Sequence, residues 1–234
     1  MEQITVLLVE DEQDIRELLT QKLRSQGFLV HSIDRGDLVV KAMEAYKPDI
    51  VLLDQIMPGK MGIDVLRELR ESEQFSSVPV IMVTGLGGEG EKLEAFNSGA
   101  DDYVTKPFMS KELGARINAV MRRAKGSGAE SARPNQLVNS NLVVDFSAHK
   151  VFVDESEVKL TLTEFKLLSE LLVQAGRVLS RDQLREKVLG RLSITDRTID
   201  VHMAALRKKL GGRGGDIQTV RGVGYRFTRT LAAH

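Results

Sequence analysis

Residues 51–62 read VLLDQIMPGKMG. A short apolar run ends in one carboxylate, Asp54, and the chain then turns at Pro58-Gly59. With Asp49-Ile50 before it, the segment 49–54 reads as a strand buried on both faces. An Asp in that place is an ordinary strand-end polar residue, a metal ligand or a nucleophile. The stretch alone leaves all three open, and its partners have to be found elsewhere in the chain.

The flanking segments repeat the pattern. TVLLVE (5–10), FLVHSI (28–33), VPVIMVT (78–84) and DYVTK (102–106) also read as strands. Between and after them lie helical stretches at 13–26, 36–46, 62–71, 89–98 and 110–124. In the first, Ile15, Leu18, Leu19 and Leu23 recur at helical spacing and Gly27 supplies the stop. Five strands alternating with five helices imply a parallel sheet covered on both faces. In such sheets the site lies at the carboxyl ends of the strands, where the strand order reverses.

The chain has 234 residues, 42% of them apolar, which allows one large domain or two of ordinary size with packed cores. It has no cysteine, hence no disulfide, thiolate metal site or Cys nucleophile. MEQITVLLVEDE has no basic segment or small-residue cleavage site, and the apolar runs are too short to span a bilayer, so a cytoplasmic protein with no membrane partner is expected. Net charge is zero, but residues 1–135 hold 17 Lys+Arg against 22 Asp+Glu (net −5), and residues 136–234 hold 16 against 11 (net +5). Residues 191–234 alone hold 9 against 3 (net +6), as a nucleic-acid partner would need.

AKGSGAESARPN (124–135) reads as a flexible linker. After it come short strand-like pieces, LVVDF, KVFVD and EVKLT, with Asp154-Glu155-Ser156 as a turn. Thr161-x-x-Glu164 and Ser180-x-x-Gln183 are capping-box patterns opening helices at 162–174 and 181–188. A third helix, 195–210, stops at Gly211-Gly212, and IQTVRGVGYRFTR reads as a hairpin around Gly222 and Gly224. Three helices and a terminal hairpin match a helix-turn-helix with a wing. The boundaries are expected at 1–124, 125–135 and 136–232.

At the strand ends of the first half stand Glu10 and Asp11, then Asp54, then Thr84, then Lys106 followed by Pro107. Three carboxylates in one place repel one another. A divalent cation relieves this, and an all-oxygen site open to water and phosphate suits Mg²⁺. Asp54 is then placed to attack phosphorus, with Mg²⁺, Lys106 and the Thr84 hydroxyl to meet the phosphoryl oxygens.

VLLVEDE (6–12), DIVLLDQIMPGKMG (49–62), VIMVTG (80–85) and GADDYVTKPF (99–108) together resemble the receiver domain of two-component response regulators, over residues 4–123. LTLTEFKLLSELLVQAGRVLSRDQL (160–184), DRTIDVHMAALRKKL (196–210) and TVRGVGYRF (219–227) resemble the winged-helix effector domain of the OmpR/PhoB subfamily. The resemblance implies an α/β flavodoxin-like (βα)5 receiver followed by an α+β winged helix-turn-helix domain with an N-terminal antiparallel sheet. It implies Asp54 as phosphoacceptor for a sensor histidine kinase, and Mg²⁺ on Glu10, Asp11, Asp54 and the Ile56 carbonyl. Thr84 and Tyr103 would be the switch pair, Lys106 the phosphoryl grip, and Lys106-Pro107 a cis peptide. The four glycines in residues 85–90 would let Thr84 move.

The same resemblance implies a phosphorylation-dependent homodimer through an apolar patch of Leu93, Phe96 and Gly114. Flanking ion pairs would join Lys92 to Glu112 and Asp102 to Arg116. A further pair would fall on Asn97 and Asn118, which carry no charge here. In helix 195–210, Ile199, Met203, Leu206 and Leu210 face inward, and Arg197, Val201, Ala204, Ala205 and Lys208 face out. Arg197, Thr198, Val201, His202, Ala205, Arg207 and Lys208 would lie against promoter DNA, presented as direct repeats, with Arg221, Arg226 and Arg229 reaching from the hairpin. Relatives often carry base-contacting Arg where Ala204 and Ala205 stand, so apolar or shape readout is expected there. GRLSITD (190–196) is short and Leu189 replaces a frequent Trp, which puts the usual RNA polymerase contact in question.

Two other classes compete. A haloacid-dehalogenase-type phosphohydrolase also uses a strand-end Asp but wants a second Asp where Ile56 stands. An adaptor with a degenerate receiver would lack the set Glu10, Asp11, Asp54, Thr84 and Lys106, which is intact. The balance favours a transcription regulator that is not an enzyme, beyond phosphotransfer and slow autodephosphorylation at Asp54.

Overall fold

The computed structural model describes residues 3–85, 87–124, 136–146, 148–189 and 196–228, the side chains of Arg123, Asp196 and Arg197 excepted. The chain divides into two compact units, Met1–Lys125 and Gly126–His234. In the first, five strands, β1 (Thr5–Val9), β2 (Leu29–Ile33), β3 (Ile50–Leu53), β4 (Val80–Thr84) and β5 (Asp102–Thr105), form one parallel sheet ordered β2-β1-β3-β4-β5. The helices are α1 (Gln13–Ser25), α2 (Val39–Tyr46), α3 (Gly62–Glu71), α4 (Glu89–Asn97) and α5 (Ser110–Ala124).

β3 and β4 are buried along their whole length, as continuous apolar runs require in a sheet covered on both faces. In α1 the covered stripe is Leu19 and Leu23, whereas Leu18 is 53% exposed. The expectation for Leu18 fails because it lies about 100° around the helix from Leu19, off the stripe that meets the sheet. Gly27 ends the helix at φ 94°.

The order reverses between β1 and β3, which pair with Val9 opposite Leu53. That register brings Glu10 and Asp54 to one level, and the Asp54 N–H donates to the Val9 carbonyl at 3.0 Å. On the other side Thr84 pairs with Thr105, and the Lys106 N–H donates to the Thr84 carbonyl at 2.8 Å. The Lys106-Pro107 peptide is cis.

The second unit opens with an antiparallel sheet of β6 (Gln136–Asn139), β7 (Leu142–Asp145), β8 (Lys150–Val153) and β9 (Ser156–Glu157). Asp154 and Glu155 both take positive φ in the β8–β9 turn, the geometry a tight hairpin needs. Three helices follow: α6 (Leu162–Val173), α7 (Arg181–Leu184, extended by a π-helical turn over Arg185–Leu189) and α8 (Asp196–Lys209). Both capping boxes form, at Thr161 with Glu164 and at Ser180 with Gln183. A second sheet, β10 (Leu179–Ser180), β12 (Gly224–Phe227) and β11 (Ile217–Val220), holds the terminal hairpin. One core serves the whole unit, joining Leu142 and Val151 of the first sheet to Leu168, Leu184, Met203, Leu206 and Phe227.

β6 and β10 were not anticipated. Neither has a long apolar alternation of its own; each is completed by pairing with a stronger neighbour.

Candidate functional site

At the carboxyl ends of the first sheet the Lys106 ammonium sits 2.6 Å from Asp54 Oδ2 and 2.8 and 2.7 Å from Glu10 Oε1 and Oε2. Ligand atoms of Glu10, Asp11 and Asp54 lie within 4.8 Å of one another, and among the described residues these three are the group able to hold a metal ion. Glu10 and Asp54 are buried, while Asp11 is partly open to solvent. Burial, more than any neighbour, pushes the Glu10 carboxyl above its ordinary range; the Asp54 charge adds to it, and the Lys106 hydrogen bond opposes it without winning. For Lys106 desolvation works against the ammonium, but the hydrogen bonds and charges of Asp54 and Glu10 outweigh it, so its pKa is raised.

The loop after β3 shapes the other side. Asp54 Oδ1 accepts from the Gln55 N–H at 2.5 Å and more weakly from Ile56 N–H at 3.4 Å. The Gly62 N–H donates to the Gln55 carbonyl at 2.8 Å, and a Cβ on Gly62 would lie 2.0 Å from the Asp54 carbonyl oxygen. The turn after β2 grips the loop from outside: Gly36 N–H donates to the Pro58 carbonyl at 3.1 Å, and Gly59, at φ 81°, leaves room for Asp37, which Arg35 holds. None of Gly36, Asp37 or Gly62 was singled out from sequence; the glycines of PGKMG were the available signal.

Thr84 is buried at the end of β4. Tyr103 on β5 is 9% exposed, and burial, reinforced by the charges of Glu91 and Asp54, pushes its phenol up to about 12.

In the second unit α8 turns Ile199, Met203, Leu206 and Leu210 into the core, as the spacing predicts. Ala204 and Lys208 are exposed, and Val201 and Ala205 are partly so. Arg221 is exposed at the hairpin tip, and Arg226 donates to Gln218 at 2.7 Å.

Residues 6–118 match the response regulator receiver domain, and residues 155–227 match the C-terminal domain of transcriptional regulatory proteins. The chain is 40% identical over 226 residues to the phosphate regulon transcriptional regulatory protein PhoB of Escherichia coli, covering 95% of this chain and 97% of that one. It is 40% identical to the sensory transduction protein RegX3 of Mycolicibacterium smegmatis, over 95% and 98%. This chain is a response regulator of the OmpR/PhoB type. Among solved structures a mutant of RitR superposes with a TM-score of 0.79 at 27% identity, covering 97% of this chain and 99% of that one. The response regulator DrrB of Thermotoga maritima, an OmpR/PhoB homologue, matches at 0.50 and 28%, over 97% and 100%.

A regulator of this type therefore has a receiver, which implies a histidine kinase partner, and a DNA-binding domain, which implies DNA. Among the described residues no helix is long and apolar enough to cross a membrane.

Several expected surface residues of this regulator lie elsewhere than the sequence reading put them. Phe96 is buried, its ring centroid 6.4 Å from that of Tyr103, because it closes the space between α4 and β5. Gly114 is buried beside α1: a Cβ there would meet Gln26 Oε1 at 1.8 Å. Arg116 pairs within its own chain, with Asp102 at 3.1 Å and with Glu112, one turn earlier on α5, at 2.9 Å. Lys92 lies over the Tyr103 ring at 5.9 Å, and Leu93 is partly exposed.

On α8, Thr198 and His202 are buried, so neither side chain is available to DNA. They lie toward the packed side of the helix, adjacent to Ile199 and Met203 in the 3.6-residue repeat. Arg207 donates to the Ile217 carbonyl at 3.0 and 2.6 Å and to the Thr219 hydroxyl at 2.8 Å, and so ties α8 to β11. Its guanidinium and that of Arg181 flank the Tyr225 ring at 5.4 and 5.1 Å, while the Tyr225 hydroxyl donates to Asp200 at 2.6 Å. The Arg197 side chain, the loop 190–195, Arg229 and residues 125–135 lie outside the described residues.

Proposed function

We propose that Asp54 is the phosphoacceptor of this regulator, charged by a sensor histidine kinase, and that the phosphorylated protein dimerises and binds promoter DNA. The observation that carries the reading is the Lys106 ammonium bridging Glu10 and Asp54, with Asp11 in the same cluster. Three carboxylates and one ammonium leave a charge of −2 in a partly buried, all-oxygen site, which fits one divalent cation of the Mg²⁺ kind. Glu10, Asp11 and Asp54, with the Ile56 carbonyl, would hold it, and when bound it would neutralise charge on the phosphoryl oxygens.

The chain's own residues do the rest. Gln55 N–H and Lys106 hold the Asp54 carboxylate in place through hydrogen bonds to its two oxygens. One Asp54 oxygen forms a bond to phosphorus as the P–N bond of a phosphohistidine breaks; the electron pair returns to the imidazole nitrogen, which takes a proton from solvent. Lys106 is free to follow the charge from carboxylate to phosphoryl oxygen. Thr84, moving on its glycine-rich loop, donates its hydroxyl to the new phosphoryl group, and Tyr103 reports that movement on the α4–β5–α5 face. Water later cleaves the acyl phosphate slowly, so the protein resets without turning over a substrate.

The dimer face comprises Lys92, Leu93, Asp102, Glu112 and Arg116, with Phe96 as its support. DNA meets Arg197, Val201, Ala204, Ala205, Lys208, Arg221 and Arg226, in direct repeats. Residues 1–124 act as receiver, 125–135 as linker and 136–232 as DNA-binding domain, in the cytoplasm.

Acetyl phosphate treatment followed by phosphate-affinity electrophoresis tests the pocket. A stable, Mg²⁺-dependent band shift that Asp54→Ala abolishes is expected. Rapid turnover of the phosphodonor would favour a phosphohydrolase instead, and no modification at all an adaptor.

A further inference from the structure

The outward face of α8 is unusual in what it withholds. Between Thr198 and Lys208, every side chain that could make a directed hydrogen bond to a base edge is removed from that face or committed elsewhere. Thr198 and His202 are buried. Asp200 holds Arg181 at 2.7 Å and the Tyr225 hydroxyl at 2.6 Å. Arg207 is turned onto β11, donating to Ile217 and Thr219. What the middle of the helix presents is Val201, Ala204 and Ala205, with Lys208 beyond them.

These three are one patch. Positions 201, 204 and 205 are spaced i, i+3 and i+4, so their Cβ atoms are neighbours on the helix surface. No side chain in the patch is longer than valine, so the backbone can come close to whatever it faces. The tie from Arg207 to β11, with Tyr225 held between Arg207 and Arg181, couples the hairpin to α8, so the patch and the exposed Arg221 at the hairpin tip are presented as one unit.

In the major groove each base pair offers hydrogen-bonding groups, and thymine alone adds a C5-methyl. A patch of Val and Ala has no donor or acceptor for the polar edge of any base pair, so hydrogen bonding cannot make it prefer one pair over another. It has apolar surface for a methyl. We infer that Val201, Ala204 and Ala205 are the specificity-determining residues of this regulator and that they select thymine methyl groups in each half-site, while Lys208 and Arg221 take phosphates. The inference rests on the reading of α8 as the helix that enters the groove.

The experiment uses the full-length protein, phosphorylated with acetyl phosphate, and a random-sequence DNA duplex library. Selection is expected to recover half-sites with a cluster of two or three A·T pairs under α8. Remaking the selected duplex with uracil for thymine at those positions removes only the methyls, and should weaken binding by roughly three- to fivefold for each one, the worth of one buried carbon. Ala204→Arg, a change at an exposed position, should gain a preference for guanine at one base pair and lose its uracil sensitivity there. G·C pairs at the α8 positions of sites chosen by the unaltered protein, or equal affinity for thymine and uracil duplexes, would overturn the inference. Recovery of no sequence above the starting library would overturn the groove-binding reading of α8 itself, and is distinguishable from both.

Discussion

Glu10 stands in an environment that opposes its charge. Its carboxyl is raised chiefly by burial, and its Lys106 partner is shared with Asp54. A carboxyl whose folded pKa lies above the ordinary 4.5 contributes stability that is fully present below that value and is lost as pH rises through the folded pKa. Glu10→Gln is permanently neutral and should escape that loss. In metal-free buffer its melting temperature is therefore expected to exceed the wild type's near neutrality, with the gap closing as pH falls toward about 4.5. Millimolar Mg²⁺ should stabilise the wild type more than the variant. A gap that does not change with pH would mean that Glu10 is not the strained carboxylate. In the same pocket, replacing Lys106 is expected to destabilise the fold: removing the ammonium leaves two buried carboxylates facing each other, and an unpaired buried charge costs about 3–5 kcal/mol.

The loop between β3 and α3 is held by backbone contacts that no larger residue could permit. At Gly62 a Cβ would come 2.0 Å from the Asp54 carbonyl, and at Gly36 another would come 2.2 Å from the Lys60 carbonyl. Both obstacles are backbone, so the chain itself would have to move. Gly62→Ala is expected to lower the rate of acetyl phosphate labelling at least tenfold, with the Mg²⁺ concentration for half-maximal labelling rising in parallel, because the displaced segment carries Asp54 and Ile56 together. Circular dichroism should report a helix content unchanged from the wild type, since α3 begins at residue 62 and runs on to Glu71. Labelling at the wild-type rate would show that the loop tolerates the shift. A comparable economy appears in the second unit, where Glu164 serves both the Thr161 cap and Lys209 of α8 at 2.7 Å, joining two helices through one carboxylate.

For the molecule as a whole, the function proposed above has phosphorylation in one unit reach DNA binding through dimerisation. Thr84→Ala should accept phosphate nearly as well as wild type yet fail to dimerise in sedimentation velocity. Normal phosphorylation-dependent dimerisation in that variant would remove Thr84 from the pathway. The structure also changes which residue best tests the dimer face. Arg116 is buried and bound to Asp102 and Glu112 in its own chain, so Arg116→Glu would put three carboxylates together and destabilise the monomer. Lys92 is partly exposed, and Lys92→Glu should weaken the dimer only modestly, as exposed pairs are worth about 0–1 kcal/mol each.

Much of this architecture was legible in the residues. Runs such as VLLD and VIMVT admit few alternatives to buried strands, the helical stretches between them imply parallel pairing, and Thr161-x-x-Glu164 and Ser180-x-x-Gln183 carry their own hydrogen-bond logic. That Glu10, Asp11, Asp54 and Lys106 would meet was readable because strand ends in a doubly wound sheet converge. Local patterns do not say which long-range neighbour a side chain will meet. Phe96, Gly114, Thr198 and His202 read as surface residues and are buried. Asp102 and Arg116 read as an ion pair of the dimer face and meet within one chain, and Arg207 read as a DNA contact and is held by the Ile217 carbonyl. The strand ends converge because backbone hydrogen bonding fixes register, and register follows from an apolar pattern that is local. The fate of a long cation or a half-apolar helix position depends on which carbonyl, carboxylate or ring the fold brings beside it, and that proximity exists only after the chain has closed.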